Sequence, residues 1–185
     1  MGKNLDLSFN PKKLSLYESL GASWVFVVIN GIFRIFLINL VLLAFTHFAG
    51  DEMSFLSSMT NEEGLLGYYF LILSTVLDVI FYPLVTMFII QFWEFVLKSY
   101  ASLAGVQGDV DKKTKTILSV ALSSHILLIV PIFGEFAQKA AHFVQMYAGI
   151  REQLEFSRAL TFCVLLTPIL IFLFFASFLI LLFSL

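Results

Sequence analysis

Charged residues are scarce in this sequence: Asp, Glu, Lys and Arg together make up 13% of the 185 residues. Soluble globular proteins contain roughly 25%, so this chain has about half the charge that a water-facing surface requires. This shortage excludes a soluble enzyme and a disordered chain. The formal net charge of −2 gives no attraction to polyanions, and we therefore expect no nucleic-acid partner.

Cysteine and catalytic motifs are also missing. The single cysteine, Cys163, excludes a disulfide framework and a cysteine-based zinc site. The sequence contains no His-Glu-x-x-His, no Gly-x-Ser-x-Gly and no Gly-rich phosphate-binding loop, which are the motifs of common hydrolases and nucleotide-binding enzymes. We expect a protein that is not an enzyme and that holds neither a cofactor nor a metal.

Apolar residues are abundant instead, at 59% of the chain. A transmembrane helix needs about 20 mostly apolar residues to cross the hydrocarbon core of a bilayer. The sequence therefore predicts an all-α, polytopic membrane helix bundle. Its five predicted transmembrane helices cover about 22–48, 65–97, 116–133, 135–150 and 159–185.

The fourth predicted span carries a stripe of polar residues on one side of the helix. These residues are Glu135, Gln138, Lys139, His142 and Gln145. The stripe fits either a span that faces the bundle interior or a helix that lies in the interface. The simpler interpretation is a Glu135–Lys139 pair within the helix. The alternative is a polar vestibule in which His142 titrates or binds a metal, although one histidine beside one carboxylate is weak evidence for a metal site.

The distribution of basic residues predicts the orientation. Nine of the 11 lysines and arginines precede the first span or lie in the segments 98–115 and 151–158, whereas the segment 50–64 has none. We expect the N-terminus in the cytosol and the C-terminus on the opposite side of the membrane. Residues 1–21 would form a cytosolic head with a short amphipathic helix, and 22–185 the membrane domain. The predicted cytosolic basic face consists of Lys112, Lys113, Lys115, Arg151 and Arg158.

Two charges fall inside predicted spans, where each costs about 2.5–3.5 kcal/mol. Arg34 and Asp78 lie at similar depths near mid-membrane, which predicts an ion pair supported by Asn30 and Tyr82. Such a pair would fix the register of two helices. The alternatives are a role in a substrate or proton path, or no pairing.

The second half of the chain contains a series of short motifs in a distinctive order. These are Gly105-Val-Gln-Gly108, Lys112-Lys113-Thr-Lys115, Ser123-Ser124-His125, Pro131-Ile-Phe-Gly134, Gly149-Ile-Arg151-Glu152 and Ser157-Arg-Ala-Leu160, followed by Pro168. In this order the chain resembles the bacterial form of the Yip family, the Ypt/Rab-interacting membrane proteins. The resemblance implies a five-helix topology with a cytosolic head. Rab binding is not implied, because the Asp-Leu-Tyr-Gly-Pro motif of the eukaryotic members is absent.

Together these features predict a non-enzymatic scaffold of the inner membrane, with a role in membrane organisation or trafficking. Its expected partners are membrane lipids, a second copy of the chain, or another membrane or cytosolic protein. The alternative is a small transporter, channel or lipid-moving protein that uses a polar bundle interior. Pro83, Pro131 and Pro168 favour this alternative, since irregular backbone within a membrane is tolerated beside a cavity.

Overall fold

The computed structural model describes residues 14–48 and 62–184, and within them all regular structure is helical. Five α-helices follow one another along this part of the chain, and a 3-10 segment, Ser124–Ile129, continues the third. The helices are α1 (Leu16–Phe48), α2 (Glu62–Leu103), α3 (Val110–Ser123), α4 (Gly134–Gln153) and α5 (Arg158–Ser184).

Side-chain caps explain where three of these helices begin. At α1, the backbone N–H of Glu18 donates to Ser15 Oγ, and the N–H of Ser15 donates to Glu18 Oε2 at 2.7 Å, which is a capping box. Asp109 accepts a hydrogen bond from the backbone of the first turn of α3. Ser157 does the same for α5. Each cap satisfies an N–H that has no partner within its helix.

Three helices in the described part of the chain are long and apolar enough to cross a membrane. These segments are Leu16–Ala44, Leu66–Leu103 and Arg158–Phe183. They support the prediction of a helical membrane protein. The prediction of five spanning helices is corrected to three.

The predicted span 116–133 is not one continuous α-helix. Helix α3 has only 14 residues, about 21 Å, and the chain tightens into the 3-10 segment at Ser124. A turn follows, in which the N–H of Phe133 donates to Pro131 O at 2.7 Å and the N–H of Gly134 donates to Val130 O at 2.9 Å. The predicted span 135–150 corresponds to α4. This helix is not apolar enough to cross a membrane, because polar residues interrupt its apolar sequence. Helices α3 and α4 instead form an antiparallel hairpin.

The predicted boundary between head and membrane domain does not coincide with a break in the helix. Residues 16–21 are the first turns of α1, so no separate amphipathic helix exists within this range. Residues 1–13 of the predicted head lie outside the described residues.

The core lies at the end of the molecule that holds the α2–α3 and α4–α5 turns. Its largest fully buried apolar side chains come from α2, α3, α4, the turn after α4, and α5, and are Leu97, Ile117, Met146, Ile150, Leu154 and Val164. Beyond this core, the apolar side chains of α5 from residue 166 onward are mostly exposed, as are many on the outward halves of α1 and α2. Exposed apolar surface on this scale indicates contact with lipid or with a partner.

Helices α1 and α2 pack against each other through a glycine. A Cβ added at Gly31 would lie 2.8 Å from Val79 Cγ2, so the backbones approach closely here. The indole N–H of Trp24 donates to Val79 O at 2.9 Å. Farther along, Tyr68 donates to Asn39 Oδ1 at 2.8 Å. These contacts make the two helices antiparallel. The contacts of Asn30 and Arg34 with Glu135 place this part of α1 level with the turn of the hairpin.

Candidate functional site

Arg34, which the sequence predicts to lie within the membrane, has a different partner from the one predicted. Arg34 Nη1 lies 3.7 Å from Glu135 Oε1, and the side-chain amide of Asn30 donates to the same oxygen at 3.5 Å. Asp78 is exposed and forms no ion pair among the described residues. The structure therefore does not contain the predicted Arg34–Asp78 pair. Arg34 instead joins α1 to the first turn of α4.

Helical geometry explains the change of partner. Arg34 follows Gly31 by three residues, about 60° around the helix axis, so it faces the hairpin while Gly31 faces α2. Asp78 precedes Val79 by one residue, about 100° around α2, and so lies off the contact with α1. Tyr82, predicted to support Asp78, donates instead to Ser23 Oγ at 2.9 Å.

The polar stripe of α4 faces α1, α3 and the 3-10 segment. The side-chain amide of Gln138 donates to Ser124 Oγ at 3.5 Å, and that of Gln145 donates to Ser123 Oγ at the same distance. The Glu135–Lys139 pair is absent from the described ion pairs, because Glu135 is directed to Arg34. Lys139 therefore keeps a positive charge that no described carboxylate neutralises.

A cavity of about 280 Å³ lies between α2 and the hairpin. Tyr82, Thr86 and Trp93 contribute to its α2 wall, together with two isoleucines. The hairpin contributes three polar or charged residues of the stripe and a second histidine. The full lining is Tyr82, Thr86, Ile89, Ile90, Trp93, Leu118, Ala121, Leu122, His125, Gln138, Lys139 and His142. The ring of Tyr82 lies edge-on to that of His125, with centroids 5.6 Å apart.

Both histidines of the cavity have a defined tautomer. His125 Nδ1 lies 2.9 Å from Leu122 O, and His142 Nδ1 lies 3.1 Å from Ala121 O. A backbone carbonyl only accepts hydrogen bonds, so each Nδ1 carries a proton and each neutral ring keeps a lone pair on Nε2. For His125 this lone pair faces the amide of Gln138 at 3.5 Å. In the described part of the chain, no group of three or more His, Cys, Asp or Glu side chains is arranged to hold a metal ion.

The basic segment after α2 is partly neutralised by ion pairs. Asp111 accepts from Lys115 Nζ at 2.7 Å and from Lys98 Nζ at 2.5 Å. These two ammonium groups, Lys115 first, lower the pKa of the Asp111 carboxyl to about 2, and the carboxylate raises the pKa of Lys115. Lys113 donates to Gln107 O at 2.9 Å. Its ammonium is thereby held against the turn between α2 and α3.

Four members of the predicted basic face form no ion pair among the described residues. They are Lys112, Lys113, Arg151 and Arg158. The turn between α2 and α3 contains Gly105 and Gly108, whose φ values of +67° and +88° favour glycine. The spacing of these two glycines is thus explained by the turn itself.

No family model, curated protein or solved structure matches this chain.

The sequence analysis did not predict that His125 and His142 line one cavity. The sequence distances of the two histidines from the predicted turn could have indicated this. Partners across an antiparallel hairpin lie at similar distances on either side of its turn, and these two histidines are almost equidistant from the turn at Pro131–Gly134. Ile117 and Gly149, which are in contact, show the same symmetry.

Proposed function

We propose that the chain is a bacterial inner-membrane protein with three crossing helices, in which the α3–α4 hairpin enters the bilayer without crossing it. The turn of the hairpin supports this threading. It lies beside Arg34, about 27 Å along α1, and it exposes Ile132, Phe133 and Phe136 by 80%, 71% and 78%. Ile and Phe side chains each gain about 0.3–0.6 kcal/mol at the centre of a bilayer.

The three-span threading satisfies the distribution of basic residues as well as five spans would. A hairpin returns to the side from which it enters, so segments 98–115 and 151–158 stay in the same compartment. The N-terminus remains cytosolic and the C-terminus lies outside. The interior charge of Arg34 is offset by Glu135 of the inserted hairpin.

For function, we propose a non-enzymatic scaffold that binds membrane lipids and membrane partners. The observation that carries this proposal is the exposed apolar surface of α5 from residue 166 onward, which a lipid or a second membrane helix covers. The unpaired cations Lys112, Arg151 and Arg158 favour contact with anionic headgroups or an acidic partner.

A small transporter remains the second candidate, because the cavity carries two histidines and a lysine. However, neither Arg34 nor Asp78 lines that cavity. The transport path predicted from the sequence would use both Arg34 and Asp78. Because the cavity contains neither, the scaffold is the better supported proposal.

Cysteine labelling in sealed, right-side-out vesicles tests the threading. In a Cys163→Ser background, we expect Ile132→Cys to resist a membrane-impermeant maleimide and to react only after detergent is added. Lys112→Cys is the matched control, since it should react only from the cytosolic side in either threading. Labelling of Ile132→Cys from outside would contradict the three-span arrangement and restore five spans.

Flux measurements separate the two candidate functions. Proteoliposomes that contain the purified chain should show no flux of ions, protons or labelled lipids above that of empty liposomes. Flux that is abolished in His142→Gln but retained in Lys112→Gln would contradict the scaffold and favour transport through the cavity.

A further inference from the structure

Two opposite charges lie unpaired on the surface of the helix bundle, Asp78 on α2 and Lys139 on α4. Both side chains are exposed. Neither forms an ion pair among the described residues. On a surface that faces water such charges need no partner. Inside a membrane, however, ionisable side chains are expensive, and they almost always face a protein interior or pair with one another.

The two charges lie at nearly the same depth. The turn of α2 that contains Asp78 packs against Gly31 of α1. Lys139 follows Glu135 by one helical turn, about 6 Å, and Glu135 accepts a hydrogen bond from Asn30 of α1. Measured along α1, Asp78 and Lys139 are therefore within about one helical turn of each other. In the proposed threading this level is near mid-membrane, away from water and from lipid head groups.

Asp78 and Lys139 also lie on the same side of the molecule. Asp78 precedes Tyr82 by four residues, so the two side chains share a face of α2. Tyr82 lines the cavity between α2 and the hairpin, and Lys139 lines the same cavity from α4. Because the cavity lies between α2 and α4, the two charges flank this side of the molecule without forming a pair in the chain itself.

A second copy of the chain presents the complementary charges at this depth. In a two-fold dimer, residue i of one chain contacts residue j of the other, and the reverse. A two-fold axis along the membrane normal leaves every residue at its own depth. Asp78 then meets the partner's Lys139, and Lys139 meets the partner's Asp78, so one rotation neutralises all four charges. A lipid cannot replace the second copy, because its charged groups lie at the bilayer surfaces.

Apolar side chains around the two charges complete the surface. Val85 and Ile89 are exposed on the side of α2 that carries Asp78, and Phe143 is exposed on α4 one turn after Lys139. Helices associate within membranes through van der Waals packing and polar contacts between helices, and this surface provides both. The bilayer has already removed water from the two charges, so their pairing adds little desolvation.

We infer that two copies of the chain form a dimer across this surface, held by two Asp78–Lys139 ion pairs between the chains. The inference rests on the proposed scaffold function and on its threading, and it names the membrane partner as a second copy of the chain.

Complementary charge reversal tests the dimer. Each chain carries Cys163→Ser and Lys112→Cys, and the new cysteine is labelled with a donor or an acceptor dye. Energy transfer is measured in liposomes over a series of lipid dilutions. The parent chain should show saturable transfer. Asp78→Lys and Lys139→Glu should each weaken association at least about tenfold, since like charges then meet across the dimer. An equimolar mixture of the two variants should regain the parent's affinity, because each contact in the mixed dimer joins a lysine to a carboxylate.

Two controls separate the surface from the fold. Arg158→Glu reverses a cation at the cytosolic end of α5 that forms no ion pair among the described residues, and it should associate like the parent chain. Asp78 and Lys139 are exposed and unpaired within their own chain. At dilutions at which the parent is monomeric, both reversal variants should therefore unfold at the parent's Tm.

Several outcomes would overturn the inference. Transfer in the parent that rises with protein density without saturation would show chance proximity only. Unchanged association of both reversal variants would remove the role of the ion pairs. Failure of the mixture to regain the parent's affinity, or a lower Tm of the diluted variants, would place the two charges in contact within one chain. The labelling of Ile132→Cys and the flux measurements do not depend on energy transfer, so a failure of the dimer and a failure of the proposed function are distinguishable.

Discussion

Replacement of Gly134 by alanine tests the hairpin turn directly. A Cβ at this position would lie 2.5 Å from Leu127 O and 3.1 Å from Leu128 Cα. Ordinary contacts begin at 3.4 Å, so the 3-10 segment and α4 would have to separate by about 0.9 Å at the first of these contacts. Overpacking of this kind costs about 1–3 kcal/mol, and backbone atoms place the cost at the upper end. The helix gains at most about 1 kcal/mol from the change of glycine to alanine, which leaves a net loss of about 2 kcal/mol.

Thermal unfolding in detergent, followed by intrinsic fluorescence, measures this loss. For a chain of this length, about 2 kcal/mol corresponds to a fall in Tm of about 4–8 °C. Gly21→Ala is the matched control, since nothing lies within 4 Å of its Cβ, and its Tm should rise by a few degrees. If Gly134→Ala melted at or above the parent Tm while Gly21→Ala behaved as expected, the close approach of the turn would be refuted.

Four further substitutions have defined outcomes. Thr114 is fully buried and its hydroxyl has no partner among the described residues, so Thr114→Val should stabilise the fold by about 1 kcal/mol; a lower Tm would contradict the absence of a partner. Glu135→Gln leaves Arg34 without its carboxylate and should destabilise by about 1 kcal/mol, a modest value because both side chains are 48% exposed. Asp78→Asn should not destabilise, and equal losses in the two variants would contradict the assigned partner. Because the folded pKa of Asp111 is lowered from 3.8 to about 2, its contribution is present above pH 3.8 and is lost as the pH falls toward 2; the difference in Tm between the parent chain and Asp111→Asn should shrink over that range.

The three long helices were predictable because a long apolar run can be recognised in the sequence without knowledge of what packs against it. The predicted ends of these helices were less accurate. The first predicted span began at residue 22, although the sequence Ser15-Leu-Tyr-Glu18 contains the capping box that starts α1 at Leu16. The hairpin was predicted as two spans because hydropathy alone does not show where an α-helix changes into a 3-10 helix. The change at Ser124 depends on packing between α3, α4 and α1.

The candidate site was less predictable than the fold. Depth alone matched Arg34 with Asp78, but the rotation of each helix about its axis decides which side chains meet. That rotation follows from the contact of Gly31 with Val79, which is a tertiary feature. The side of α4 that carries the polar stripe was readable from its spacing. Its partners on α3 were not, since they depend on the position of the turn.

The turn beside Arg34 gives the molecule an asymmetric outline. On the hairpin side of that level, α3 and α4 lie alongside α1 and α2, whereas beyond it α1 and α2 continue without them. A helix is about 10 Å across, so the two additional helices enlarge the cross-section by about 160 Å² at one end of the helix bundle only. In the proposed threading the protein is a wedge whose broad end faces the cytosol. Such a shape concentrates where a bilayer bends and resists transfer to a flat one.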